Sequence, residues 1–334
     1  MATIREVAKL TGVSVSTVSR ALANRHYVKE ETRERILQAV RELDYRPNLM
    51  ARGLKEGCTK TLALVLPDIT NPFYPKLVKS VEKYADANGY SIILFDSNED
   101  KKRELHHIET LLSHAVDGVL FISSSDDTAQ LNALRDAGLP MVIVNRDFEC
   151  DYLRISNDNY DGAYAMIDYL IKNGHRRIAC LLGSMKLQRY RQRCEGCRQA
   201  MADNGIENFD KLFFHDVTTT EKAYAMTKSA LAMRERPTAF FAFIDMIAMG
   251  VYSAVNDSGF RIPDDISVVG FDNIHMSQHM VPPLTTYEHP VDEIAKTAIE
   301  SLIRQMKTPG EKLAGMEIIK GSLIVRKSVG KASP

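Results

Sequence analysis

From Thr61 onward the chain alternates short, nearly continuous apolar runs with amphipathic stretches, and few folds tolerate that order. Runs at 62–67, 91–95, 118–122, 141–145 and 153–157 are strand candidates, and helices are expected over 75–88, 101–115 and 129–137. A strand without polar alternation is buried on both faces, as in a parallel sheet covered by its own crossover helices. A second series repeats the pattern, with strands at 177–182, 211–215, 239–244 and 266–271 and helices at 160–173, 188–204, 221–234 and 246–258. The expectation is an α/β body of two doubly wound parallel-sheet halves, each of about 130 residues. A helix over 291–306, with Ile294, Ala298, Ile299 and Leu302 inward, and strand-like pieces at 316–320 and 322–326 complete the tail.

The first sixty residues follow a different period. Thr3, three residues ahead of Glu6, makes a capping box, so a helix can begin almost at the first residue. Ile4, Val7, Ala8 and Leu10 then share a face, Gly12 relieves a turn, and Ser14 can cap a second helix with Val18 and Leu22 inward. Ser16, Thr17 and Arg20 point outward, which is the build of a helix-turn-helix that lays its second helix in a DNA major groove. A plain helical hairpin with a solvated polar face would also read this way. A third helix over 31–43 offers Ile36, Leu37, Val40 and Leu43 to close a three-helix core. Pro47 is then placed to start a helix that ends before Gly57. At roughly eight residues that helix is marginal alone and should form only when something docks against it.

Ala2-Thr3-Ile4-Arg5-Glu6-Val7-Ala8, the Gly12-Val13-Ser14 turn, Thr17-Val18-Ser19-Arg20 and Tyr45-Arg46-Pro47-Asn48 with Ala51-Arg52-Gly53-Leu54 closely resemble the lactose-repressor and galactose-repressor family of bacterial transcription regulators. The resemblance implies an N-terminal all-α helix-turn-helix DNA-binding domain at 1–46 and a hinge helix with linker at 47–60. Two subdomains of periplasmic-binding-protein type would follow, 61–160 with 291–319 and 161–290 with 320–334, with the chain crossing between them three times. A homodimer on a near-palindromic double-stranded operator is expected. Val15, Ser16 and Arg20 would meet base edges, where Val15 suits a thymine methyl and Arg20 suits guanine O6 and N7. Thr3, Thr17, Asn24 and Tyr45 would grip phosphates. Asn48 and the hinge helix would enter the minor groove, with paired Leu54 side chains as apolar wedges and Lys55 beside them.

The formal net charge is zero, yet residues 1–60 hold 12 Lys+Arg against 7 Asp+Glu, so the basic excess lies in the part read as the DNA reader. No stretch approaches the apolar length of a membrane span and the N-terminus has no hydrophobic signal region, so a cytoplasmic protein without membrane contact is expected. Five cysteines, Cys58, Cys150, Cys180, Cys194 and Cys197, are an odd number that fits reduced thiols. Cys194 and Cys197 lack a second pair at zinc spacing and read as small helix residues side by side; no metal or cofactor is expected. Neither a glycine-rich phosphate loop nor a nucleophile elbow points to an enzyme. Residues 328–334 carry no leucine heptad, so no added tetramerisation helix is expected.

Ligands of open parallel sheets bind beyond the carboxyl ends of the strands, and two facing halves make a cleft there. The first strand leads into Asp68-Ile69-Thr70-Asn71-Pro72-Phe73-Tyr74 and the fourth into Asn145-Arg146-Asp147; the second half offers Arg189, Arg191, Arg193, Asp245 and Phe271-Asp272-Asn273. Carboxylates and arginines converging on an aromatic ring suit a polyhydroxylated ligand. Asp245 would equally serve as a helix cap, Phe73 as core, and Arg189 and Arg191 as solvated side chains. The resemblance matches Phe73, Arg146, Arg193 and Asp272 to effector-contacting positions. Ile244 and Asn145 depart from the pentose-binding members, and the extra arginines leave a sugar phosphate or sugar acid open. The expectation is a repressor of a carbohydrate-utilisation operon, with a sugar or sugar-derived effector setting the angle between the halves and so the order of the hinge segments. The alternative is control by a partner protein or a purine-type corepressor.

Overall fold

Val7, Val18 and Ile36 are fully buried and come from three helices that close on one another: α1 (Ile4–Thr11), α2 (Val15–Leu22) and α3 (Glu30–Glu42). The computed structural model describes residues 2–22, 27–45, 58–113, 116–126, 129–146, 150–308 and 314–332. They fall into two units, Met1–Thr59 and Lys60–Pro334.

In the first unit the capping box forms: Glu6 N donates to Thr3 Oγ1 at 3.4 Å and Thr3 N donates to Glu6 Oε2 at 2.7 Å. Gly12 ends α1 at φ +64°, a conformation that costs a glycine little, and Ser14 Oγ accepts from Thr17 N to cap α2. Leu10 is 55% exposed, contrary to expectation. The inward face of α1 is Val7, Ala8 and Thr11, and Leu10 sits one helical step off it. The Thr11 hydroxyl is accommodated inside by donating to Val7 O at 2.7 Å. Leu37 is likewise exposed, while Ile36 and Ala39 are buried and Val40, Leu43 and Tyr45 pack at the rim.

The second unit contains two six-stranded sheets. The first has the order β11 (Gly315–Ile319), β5 (Leu153–Asn157), β4 (Met141–Val144), β3 (Gly118–Phe121), β1 (Thr61–Leu66), β2 (Ser91–Asp96), and every neighbouring pair is parallel. Helices α4 (Phe73–Ala87) and α11 (Val291–Lys307) cover one face, and α5 (Lys101–Ser113) and α6 (Asn132–Asp136) cover the other. The second sheet has the order β12 (Ser322–Ile324), β10 (Thr285–Glu288), β9 (Ser267–Asp272), β8 (Ala239–Ala242), β6 (Ile178–Leu181), β7 (Phe213–Phe214), parallel except for β12 against β10. The pairs α7 (Asn159–Lys172) with α8 (Gln188–Asp203) and α9 (Thr220–Leu231) with α10 (Asp245–Asp257) pack on it.

Thr285–Glu288 is a strand that sequence pattern does not suggest, because it is polar. Thr285 and Thr286 are nevertheless fully buried, and their hydroxyls are satisfied: Thr286 Oγ1 donates to Asp245 Oδ1 at 2.6 Å, and Thr285 Oγ1 accepts from Arg326 N at 3.0 Å. Where α7 and α8 cross, a Cβ on Gly196 would lie 2.3 Å from the Tyr160 carbonyl oxygen, so only glycine permits this approach. Cys194 and Cys197 flank it as buried free thiols.

The chain passes between the two sheets three times: from β5 into α7, from β10 into α11, and from β11 into β12. Asp158 ties these passages together. Its Oδ2 accepts from the Tyr287 hydroxyl at 2.7 Å and its Oδ1 accepts from Gly321 N at 3.0 Å. Among the described residues no helix is long and apolar enough to cross a membrane.

Candidate functional site

On the first unit, α2 presents Val15, Ser16 and Arg20 as exposed side chains, with Thr17 half-buried. Its opposite face, Val18 and Ala21, is in the core, so the outward face is fixed by packing. The Thr3 hydroxyl is occupied by Glu6, and Ser14 Oγ lies 2.7 Å from Ser16 Oγ and 2.8 Å from Thr17 Oγ1. The Tyr45 ring packs at the edge of the three-helix core. Asn24, Asn48, Leu54 and Lys55, with the expected hinge helix, lie outside the described residues.

In the second unit, side chains from both sheets meet beyond the strand ends. Phe73 opens α4, is 5% exposed, and sets its ring edge-on to His289 at 5.3 Å and to Tyr74 at 5.2 Å. His289 follows β10 on the other sheet, so this contact spans the two subdomains. Asp272, at the end of β9, holds φ +113°, a strained conformation for a residue with a Cβ. Its Oδ1 lies 2.9 Å from His289 Nε2, and a carboxylate only accepts, so Nε2 carries the hydrogen. Arg193 Nη2, 3.3 Å from the same nitrogen, is also a donor and therefore faces Asp272 Oδ1 at 3.7 Å. The Arg193 guanidinium lies 3.9 Å above the Phe271 ring, donates through Nε to Asn159 Oδ1 at 2.9 Å, and donates through Nη1 to Phe243 O. Burial lowers the His289 pKa below its ordinary value, with Asp272 opposing, and leaves a neutral ring whose Nδ1 has no hydrogen-bond partner among the described residues.

Arg146 follows β4 and is 1% exposed; Nε donates to Ser123 O at 2.7 Å and Nη1 to Asn145 O at 2.8 Å. Arg189, in the first turn of α8, is buried too, stacks 4.4 Å over the Tyr190 ring and donates through Nη2 to its hydroxyl. It is not the solvated side chain that its sequence position allows. Arg191 bridges the subdomains, with Nη2 3.0 Å from Asp126 Oδ2.

Asp245 is fully buried and does not cap its helix: its carboxylate accepts from Ile274 N, Ser277 Oγ and Thr286 Oγ1, all within the second sheet's own layer. Burial, with Asp272 nearby, pushes its pKa up to about 7. Phe73, Arg146, Arg193 and Asp272 do converge. Tyr74, from the stretch offered by the first strand end, joins them, as do His289, Tyr190 and Asn159, which the sequence pattern does not single out; the signal for His289 is its place just before Pro290, at the second crossing of the chain.

Comparison with known proteins decides the family. Residues 3–48 match the family described as bacterial regulatory proteins, lacI family, and residues 167–329 match a periplasmic binding protein-like domain. The chain is 36% identical over 331 residues to the HTH-type transcriptional repressor PurR of Photobacterium profundum, covering 98% of this chain and 99% of that protein. The HTH-type transcriptional repressor PurR of Vibrio campbellii is 34% identical over 334 residues, covering 99% of each chain.

The chain belongs to the lacI family of bacterial regulatory proteins.

As a lacI-family member it is a DNA-binding transcriptional repressor and not an enzyme. Its fold is that of the lac repressor dimer bound to operator and the anti-inducer ONPF, with a TM-score of 0.88 at 25% identity over 98% of this chain and 99% of that one. The transcriptional regulator CelR-cellobiose complex is similar at a TM-score of 0.74 and 28% identity, covering 98% of this chain and all of that one. The lacI-family headpiece and the two parallel-sheet subdomains therefore stand as the sequence pattern suggests.

Proposed function

We propose that this repressor is controlled by a purine-type corepressor held where Phe73, His289, Arg193 and Asp272 meet. Sequence pattern alone favours a sugar, but the full-length similarity to PurR repressors moves the balance toward the purine reading. The observation that carries it is the Phe73 ring reaching His289 across the subdomains, beside an Asp272 acceptor and the His289 Nδ1, which has no hydrogen-bond partner among the described residues. A flat heteroaromatic ligand with both donors and acceptors uses stacking and edge hydrogen bonds together, and a site built to bond polar edges rejects analogues that lack them. Ligand contacts from both subdomains would favour one angle between them and so one state of the DNA-binding end.

Val15, Ser16 and Arg20 are proposed to read bases in the major groove, with Thr17, Asn24 and Tyr45 at phosphates. The Thr3 hydroxyl, whose hydrogen goes to Glu6 Oε2, would grip a phosphate by turning that hydrogen from the cap to a phosphate oxygen. Asn48, Leu54 and Lys55 are proposed for the minor groove on the strength of the family pattern. Two copies on a near-palindromic operator are supported by apolar side chains left exposed on the edge strand β2, Ile93 and Leu94, and on α5, Leu105 and Leu112.

The test is to select an operator from random duplexes and measure its binding with and without purine bases, nucleosides and nucleotides, alongside sugars and sugar phosphates. Tighter operator binding with a purine-class compound is expected. If only a carbohydrate changes binding, the purine reading fails.

A further inference from the structure

We infer that the effector carries an anionic group, a phosphate or a carboxylate, seated between Arg146 of the first subdomain and Arg189 of the second. The inference rests on the proposed effector cleft and goes beyond it in fixing the ligand's charge.

Arg146 and Arg189 are 1% and 5% exposed. Each has a fully buried terminal nitrogen, Nη2 of Arg146 and Nη1 of Arg189, with no hydrogen-bond partner among the described residues. Neither guanidinium has an ion-pair partner among them, whereas Arg191 pairs with Asp126 and Arg193 faces Asp272. The two cations lie within each other's field and both act on the Tyr74 phenol, which Arg146 also approaches as a hydrogen-bond donor, while Glu99 lies within the field of Arg189.

This arrangement is costly in isolation. A buried guanidinium prefers a carboxylate, and like charges close together in a poorly solvated site repel. Here the other bonds of each side chain aim the unsatisfied nitrogen: Arg146 is clamped by Ser123 and Asn145 carbonyls, and Arg189 by the Tyr190 ring and hydroxyl. Two such donors, one from each subdomain, suit an oxyanion with lone pairs in several directions. A neutral sugar or base would leave both guanidiniums without an ion-pair partner among the described residues. Because the donors come from opposite subdomains, the anion would also draw them together, which makes charge on the ligand part of the switch.

Calorimetry on the full-length protein with matched pairs tests this: AMP against adenosine, GMP against guanosine, ribose 5-phosphate against ribose, and gluconate against glucose, with inorganic phosphate against chloride as a thermal-shift control. In the class that binds, the charged member should be tighter by at least about tenfold, and Arg189→Gln should erase most of that ratio. Arg146→Gln should act in the same direction; since Arg146 also holds backbone carbonyls, Arg189→Gln decides if that variant fails to fold. Equal affinity for charged and neutral members, a preference that survives Arg189→Gln, or no stabilisation by phosphate if none of the pairs binds would overturn the anion seat. Preference for a sugar phosphate with no purine binding would sink the purine reading and leave the seat standing. A nucleoside as tight as its nucleotide would do the opposite.

Discussion

His289 Nε2 donates to Asp272 Oδ1 across 2.9 Å, joining the residue after β10 to the end of β9. This bond fixes the tautomer of a buried imidazole and turns its Nδ1 into an acceptor.

His289→Ala should therefore weaken effector binding without unfolding the protein. It removes the ring facing Phe73 and releases the carboxylate it orients, and a loss of about tenfold or more is expected by calorimetry. Asp272→Ala should abolish the effector response while near-native circular dichroism and thermal melting are kept. An unchanged affinity in both variants would place the effector elsewhere.

Asp245 predicts a dependence of stability on pH. Its folded pKa, about 7, lies above the ordinary value of 3.8, so between these values the native state retains a proton that the unfolded chain releases. Unfolding free energy contributed by this group is greatest below pH 3.8 and declines as pH rises through that window. Asp245→Asn, which cannot titrate, should flatten that slope in urea titrations across the window. Asp245→Ala should cost about 3 kcal/mol, because three buried donors lose their acceptor.

At the DNA end, Arg20→Ala should weaken binding to the selected operator by about 1–3 kcal/mol and relax preference at one base pair, with binding to unrelated duplex changed much less. Fluorescence anisotropy at fixed salt measures both. An equal loss on all sequences would make Arg20 a phosphate contact.

Gly196→Ala tests the packing of α7 on α8. The added methyl would meet the Tyr160 carbonyl oxygen, so a loss of about 1–3 kcal/mol is expected by chemical denaturation.

The doubly wound sheets are legible in sequence because a strand buried on both faces leaves an unbroken apolar run, as Leu62 to Leu66 and Val119 to Ile122 show. Thr285–Glu288 is not legible, since its burial depends on hydroxyl partners, Asp245 and the Arg326 amide, that are distant in sequence. The same holds in the cleft. Phe73, Arg146, Arg193 and Asp272 follow from strand ends and family pattern, whereas the burial of Arg189 depends on the Tyr190 ring and on the neighbouring subdomain. Leu10 and Leu37 mislead because an eight- or thirteen-residue helix has room for an apolar residue just off its inward stripe.

The triple passage of backbone held at Asp158 bears on how such a protein can be inherited in pieces. Neither lobe corresponds to one uninterrupted stretch of coding sequence, so exchanging a lobe with a relative requires matched junctions at all three passages. The three-helix headpiece occupies a single uninterrupted run and can be traded as one piece. New operator preferences should therefore arise by shuffling, and new effector preferences by substitution within the cleft.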